Sequence, residues 1–206
     1  MARKTKEEAQ ATRELLLDTA EQLFSTHGVS HTSLNDIARA ASLTRGAVYW
    51  HFDNKADLLK GLWERVALPL QQGLEAVDRE QASNPRARIV QKACWMADHI
   101  GADAHMLAIM NILMLRCEFT AETEGARAHF REVREECLAG MTDEFRTAIA
   151  QQQLPPTLDA ERSALGLFGL VDGLCFHWLI DRERFCIQAC TRAAVEAYLS
   201  GLECTR

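Results

Sequence analysis

Four residues within a six-residue span are the first group in this chain whose types could do work at a molecular surface: Arg45, Gly46, Tyr49 and Trp50. Placed on a helix at about 100° per residue, they share one arc, while Val48 and Phe52 fall on another. The arc carries no acid. It offers a guanidinium, a phenol, an indole and a glycine that permits close approach, a surface suited to the major groove of duplex DNA. Thr44 stands where it can cap such a helix. The first turn behind it presents free backbone N–H groups and the positive end of the helix dipole, both attractive to phosphate. His51 and Lys55 flank the arc. Lys55 falls in the first turn of the following helix, where a cation is unfavourable unless an anion neutralises it. Spacing alone leaves a second reading open, in which Tyr49 and Trp50 pack internally and Arg45 is a solvated charge.

The elements needed to position this arc are legible on both sides of it. Residues 7–27 fit a helix with Leu16, Ala20, Leu23 and Phe24 on one face, and Gly28 is its natural stop. Thr32 or Ser33 can cap a short second helix whose inward face is Leu34, Ile37, Ala38 and Ala41. Ser42-Leu43 forms a tight link, and the third helix runs from Thr44 to Phe52. Asn54 caps a fourth, with Asp57 three residues on. Short helices joined in this way describe a helix-turn-helix unit. Beyond Val66 the helices lengthen. Pro69 is expected to bend the fourth, and Pro85 suits a first helical position. Further helices are predicted over about 86–101, 103–117, 122–152, 159–180 and 184–202. The fold class is all-α with about nine helices: a helix-turn-helix domain over 1–66, its recognition helix at about 44–52, and a larger bundle over 67–206.

Composition agrees with this class and excludes others. The 206 residues are 48% hydrophobic and 25% charged, with only 4 Pro and 11 Gly, as in an ordinary globular and mostly helical protein. The charged start, Met1 to Glu14, is not a secretory peptide. The apolar run Met106–Leu115 is too short to span a bilayer, and Ala164–Ile180 carries Asp172 and His177. The expectation is a cytoplasmic protein with no membrane contact. Residues 1–66 balance nine Lys/Arg against nine Asp/Glu, so the net charge of −6 lies wholly in the rest. That argues against indiscriminate nucleic-acid binding and allows a local basic face, to which Arg3, Lys4 and Lys6 would contribute. Seven cysteines without a CxxC pair read as reduced thiols, with oxidation sensing as the lesser reading. No nucleophile–base set, metal-ligand cluster or Gly-rich phosphate loop is present, so no catalytic residue, metal or cofactor is expected and the chain is not read as an enzyme.

The runs Thr32-Ser33-Leu34-Asn35-Asp36-Ile37-Ala38-Arg39-Ala40-Ala41 and Leu43-Thr44-Arg45-Gly46-Ala47-Val48-Tyr49-Trp50-His51-Phe52-Asp53-Asn54-Lys55-Ala56-Asp57-Leu58 resemble the DNA-binding domain of the tetracycline-repressor (TetR) family. The resemblance covers residues 10–70. The opening Met1 to Glu8, Arg116-Cys117-Glu118-Phe119 and Val171-Asp172-Gly173 are similar to its multidrug-efflux branch, that of the acriflavine-resistance regulator. One departure stands in the turn, where the family often has Gly and this chain has Ser42; a left-handed backbone there costs Ser about 1 kcal/mol. The resemblance implies that Ser33, Thr44, Tyr49, His51 and Lys55, with Thr32 beside them, hold the phosphate backbone. Arg45 and Gly46 would face base edges, with Tyr49 and Trp50 at the groove wall.

The bundle offers Met, Cys and aromatic stripes that read as core or as an adaptable pocket. The resemblance favours a cavity for a small lipophilic effector, with Trp63, Val66, Leu70, Ile89, Ala93, Met96, Met110, Met114, Cys137, Phe168, Val171 and Asp172 at matching positions. Asp172, an acid in an apolar stretch, is expected to pair with an Arg, to line a dimer contact or to anchor a ligand. The resemblance also implies a homodimer through the eighth and ninth helices, from Leu165, Phe168, Leu174, Trp178, Ala193, Ala194, Ala197 and Tyr198. Two reading heads would then meet a pseudo-palindromic operator. The function so implied is a ligand-responsive repressor of a multidrug efflux operon. The alternatives are a metabolic operon, or oxidation sensing through Cys94, Cys117 and Cys137.

Overall fold

A computed structural model describes residues 6–204; Arg3, Lys4 and most of the opening run lie outside the described residues. Among those described there are nine α-helices, one π-helical turn and no strand. In order they are α1 (Lys6–His27), α2 (Leu34–Ala40), α3 (Arg45–His51), α4 (Lys55–Glu80), α5 (Pro85–His99), α6 (Ala104–Asn111), the π-helical turn (Ile112–Arg116), α7 (Glu124–Ala150), α8 (Ala160–Ile180) and α9 (Ile187–Glu203).

The helix ends follow the side chains that satisfy them. Gly28, at φ 84°, ends α1 in the left-handed conformation open to glycine, its N–H donating to the Phe24 carbonyl at 2.9 Å. Ser33 rather than Thr32 caps α2. Its hydroxyl accepts from Asp36 N–H while the Asp36 carboxylate accepts from Ser33 N–H, a reciprocal capping box. Thr44, Asn84 and Asp159 cap α3, α5 and α8 through their side-chain oxygens, and Pro85 takes the first position of α5. The sixth helix departs from expectation. Regular α-helix stops at Asn111, and the chain continues to Arg116 as a π-helical turn.

Two compact units result, and they do not follow a single cut after residue 66. Among the described residues the first comprises 6–67 and 105–130, the second 68–104 and 131–204. The boundary in α4 falls just before Pro69, which α4 contains without interruption. A proline has no N–H, so the Arg65 carbonyl lacks its helical donor there.

In the first unit the core is built from Leu16, Leu17, Ala20 and Phe24 of α1, Ile37 and Ala38 of α2, Val48 of α3, Phe52, and Leu58, Leu59 and Leu62 of α4. Arg65 of α4 is held by Glu14 at 2.6 Å and Asp18 at 2.7 Å, both on α1. Burial works against the guanidinium's charge, but those two carboxylates more than offset it and raise its pKa.

In the second unit Ile89, Val90, Ala93 and Cys94 of α5, Phe145 and Ala148 of α7, Leu167 of α8, and Val195 and Leu199 of α9 form one buried cluster. Ion pairs ring it. Glu144, nearly buried, meets Arg88 and Lys92 at 2.7 Å each, and Arg86 meets Glu203 at 2.6 Å and Glu196 at 3.2 Å. By length and composition α8 could cross a membrane, as α6 with the π-helical turn could not. In the structure α8 packs on α9 and α5, and its mid-helix acid, Asp172, is paired with Arg134 of α7.

Candidate nucleic-acid interface

The short α3 turns outward what core packing does not need. Only Val48 of its seven residues is buried, and Phe52 beyond it is 2% exposed. Trp50 is 69% exposed and Tyr49 44%. Burying a large apolar side chain is worth about 1.5–3 kcal/mol, so two solvated aromatics side by side imply a surface that covers them. The reading of Tyr49 and Trp50 as internal packing residues is thereby excluded.

Arg45 lies on the same face. Its guanidinium sits 5.2 Å from the Tyr49 ring centroid and donates to the Tyr49 hydroxyl at 3.3 Å. The Arg45 guanidinium is thus held against the ring of an exposed neighbour. Trp50 is set edge-on to His51, with centroids 4.4 Å apart. Gly46 supplies the decisive absence: a Cβ built there would meet nothing nearer than the Thr44 hydroxyl at 3.9 Å. The protein itself has room for a side chain at this position, so internal packing does not account for the glycine. A cleft of about 390 Å³ beside α3 is lined by Ser33, Asn35, Arg45, Tyr49, Asn54 and Glu122, among others.

Two expected phosphate ligands stand differently. Thr32 is 3% exposed, and its hydroxyl donates to the Gly28 carbonyl at 2.9 Å, where it closes the α1–α2 loop. Lys55 is 4% exposed. Its ammonium donates to the Val29 carbonyl at 3.1 Å and pairs with Glu122 at 2.8 Å. The anion that an N-terminal lysine calls for is therefore supplied by the chain itself, from a residue 67 positions away that no local pattern exposes. Ser33 and Thr44 are exposed but serve as caps, and Ser33 also donates to Asp36 at 2.6 Å. Ser42 adopts φ 56°, the left-handed conformation expected of the turn.

Residues 16–62 match the family described as bacterial regulatory proteins, tetR family, and residues 84–204 match the C-terminal region of the MAATS-type transcriptional repressors. The chain belongs to the TetR family of DNA-binding transcriptional regulators. It is 37% identical over 180 residues to the HTH-type transcriptional regulator TtgR of Pseudomonas putida, covering 87% of this chain and 86% of that one. Among solved structures it is similar to NalD, the secondary repressor of the MexAB-OprM multidrug efflux pump in Pseudomonas aeruginosa. That similarity has a TM-score of 0.81 at 33% identity, over 98% of this chain and 100% of that one. It is also similar to SmeT, the Stenotrophomonas maltophilia repressor of the SmeDEF pump, solved with triclosan. There the TM-score is 0.80 at 32% identity, over 93% and 91% of the two chains. As a TetR-family regulator the chain binds operator DNA and answers to a small-molecule effector.

The residues expected to line an effector cavity divide between the two units. Trp63, Val66, Met110 and Met114 belong to the first. There Val66 is buried and Trp63 stands edge-on to Phe130 at 6.0 Å. Leu70, Ile89, Ala93, Met96, Cys137, Phe168, Val171 and Asp172 belong to the second. Ile89 and Ala93 are core, with Phe168 and Val171 packed against that core, whereas Leu70, Met96 and Cys137 are half-buried. Asp172 takes the first of its three expected roles, as the partner of Arg134. Trp178 and the Tyr198 ring, expected at a dimer contact, are drawn inward; Trp178 is buried and the Tyr198 hydroxyl donates to the Ser163 carbonyl at 2.9 Å. The apolar side chains that α8 exposes are Leu165, Phe176 and Ile180.

The cysteines named as oxidation sensors sit where a thiolate is suppressed. Burial pushes the Cys94 and Cys117 thiols up to about 11 and raises Cys137 as well. A peroxide-sensing thiol needs the opposite environment.

Proposed function

We propose that this regulator represses a multidrug efflux operon and leaves its operator when a lipophilic compound binds. The observation that carries the DNA-reading half is the acid-free, solvent-facing arc of α3, with Trp50 69% exposed and Gly46 left open beside Arg45. The efflux half is supported by the relatives, since NalD and SmeT repress multidrug pumps and SmeT has been solved with a lipophilic phenol, triclosan.

In this reading residues 1–66 carry the DNA-binding function. Arg45 and Gly46 read base edges, Tyr49 and Trp50 line the groove, and Ser33, Thr44 and His51 contact phosphates. Residues 67–206 serve effector binding and dimerisation. The half-buried Met96, Cys137, Phe168 and Val171 of the second unit are adaptable apolar surface of the kind that accepts varied ligands. The exposed Leu165, Phe176 and Ile180 of α8, with Ala193 and Ala197 of α9, supply the apolar face of a two-fold dimer. The protein acts in the cytoplasm, where its operator is. The effector must prefer the DNA-incompetent conformation by a few kcal/mol to release the operator.

A mobility shift on the chain's own upstream intergenic DNA, with and without triclosan and a panel of lipophilic drugs, tests this. Specific retardation relieved by a panel member is the expected result. Retardation that no lipophilic compound relieves would overturn the efflux reading and leave the family function intact.

A further inference from the structure

The segment that follows the π-helical turn is tied to the reading head within the first unit. The Arg116 carbonyl accepts from Val29 N–H at 3.1 Å, in the loop between α1 and α2. The Ser30 hydroxyl reaches Glu118 at 3.4 Å from the same loop. The turn beyond is fixed by Thr123, whose hydroxyl accepts from Thr120 N–H at 2.9 Å and donates to the Glu118 carbonyl at 3.1 Å. This turn delivers Glu122 to Lys55 at 2.8 Å. The two partners are unequal. The Lys55 side chain is 5% exposed, while that of Glu122 is 58% exposed and forms part of the wall of the cleft shared with Ser33, Arg45 and Tyr49. An anion arriving at that cleft therefore meets a carboxylate already placed on the one buried cation beside it.

We propose that Glu122 is an internal competitor for DNA: its carboxylate holds Lys55 where a backbone phosphate would otherwise sit, so that operator binding requires a carboxylate-for-phosphate exchange at Lys55. The inference rests on the reading of the α3 face as the DNA-reading surface. The exchange is feasible because Glu122 is mostly in solvent and can leave by rotation about its own side-chain bonds. It is opposed because Glu122, until displaced, cancels the positive charge of Lys55 and repels phosphate from the cleft. It is also coupled to the rest of the chain. Glu122 belongs to the segment whose start, Arg116, is bonded to the α1–α2 loop, so any movement of residues 116–123 changes how firmly Lys55 is held. Glu122 is in this sense a positioning residue for operator affinity; it touches no DNA itself.

The test is fluorescence anisotropy over a series of salt concentrations, with a duplex enriched by site selection on the wild-type chain. The proteins are wild type, Glu122→Gln, Lys55→Gln, the double variant and Glu118→Gln, each checked for folding by circular dichroism. Glu122→Gln is expected to bind several-fold tighter with an unchanged dependence of log K on log salt, because Lys55 meets its phosphate in both complexes, whereas Lys55→Gln is expected to flatten that dependence by about one. The double variant is expected to bind as Lys55→Gln does. Unchanged or weaker binding by Glu122→Gln overturns the proposal. So does an equal gain in the Lys55→Gln background, or an equal gain from Glu118→Gln, because either would be a general effect of removing negative charge. Loss of affinity in Lys55→Gln with no gain in Glu122→Gln removes the competitor and leaves the DNA-reading surface standing. Should Glu122→Gln melt early, Glu122→Asp keeps the charge but shortens the reach. It is expected to bind tighter than wild type, and equal or weaker binding by it overturns the proposal.

Discussion

At Arg45 the guanidinium is poised against the Tyr49 ring and faces solvent on its other side. Arg45→Ala is expected to relax preference at one base position, at a cost of about 1–3 kcal/mol for the preferred base. Affinities for a set of single-base operator variants check this; uniform weakening across the set would mean a phosphate contact instead. Gly46 allows the needs of folding and of binding to be separated. Because the protein has space for a methyl group there, Gly46→Ala is expected to stabilise the fold by up to about 1 kcal/mol through helix propensity. The same change is expected to weaken operator binding, so thermal denaturation and anisotropy should move in opposite directions. Ser42, left-handed at φ 56°, is a further case in which local strain is carried by a non-glycine residue. Ser42→Gly is expected to raise stability by about 1 kcal/mol, read by urea denaturation, with DNA affinity unchanged.

Between elements, the charge pairs differ by burial more than by distance. Glu144 of α7 serves Arg88 and Lys92 of α5 with its side chain only 11% exposed, and Lys92 also reaches Asp78 of α4 at 2.6 Å. Removing it takes the shared, nearly buried carboxylate from both cations and leaves Lys92 with Asp78 and Arg88 with the Gln81 and Ala82 carbonyls, so Glu144→Ala is expected to cost about 2 kcal/mol in chemical denaturation. Asp143, its neighbour in sequence, pairs with Arg146 at the same 2.7 Å but on an open face. Asp143→Ala is expected to stay within about 0.5 kcal/mol. The capping box of α2 belongs to the same scale. Hydrogen bonds from the Ser33 side chain and backbone hold the Asp36 carboxyl below its usual pKa, and they set where the helix starts.

For the molecule as a whole, the thiols define a pH limit. Cys94, Cys117 and Cys175 are pushed up to about 11 by burial, from the ordinary value of 9.0. Between these values the unfolded chain has lost protons that the folded chain retains. The stability these groups contribute is therefore complete below about pH 9 and declines as the pH rises towards about 11. Urea midpoints measured from pH 8 to 11 are expected to fall, and to fall less in Cys175→Ser, where no thiol ionises. At neutral pH, alkylating reagents are expected to reach the exposed Cys186 and Cys204 first, with the buried Cys94 and Cys175 labelled only on unfolding.

The arc of Arg45, Gly46, Tyr49 and Trp50, the caps Thr44 and Asn54, and the run of helices were legible in the sequence. Helical periodicity, capping chemistry and turn residues act over fewer than ten positions, so neighbouring residues determine them. The left-handed turn at Ser42 was expected from the family resemblance alone, in which glycine often stands there. What tertiary structure decided is everything that depends on partners distant along the chain. Lys55 was buried because the Val29 carbonyl and Glu122 came within reach. The segment 105–130 joined the first unit, and its π-helical turn gave the Arg116 carbonyl to Val29. Asp172 found Arg134, and Glu144 found Arg88 and Lys92. A buried charge must be matched, but its residue type states only that need; which partner answers is fixed by packing that brings helices together across 38 to 67 residues of chain.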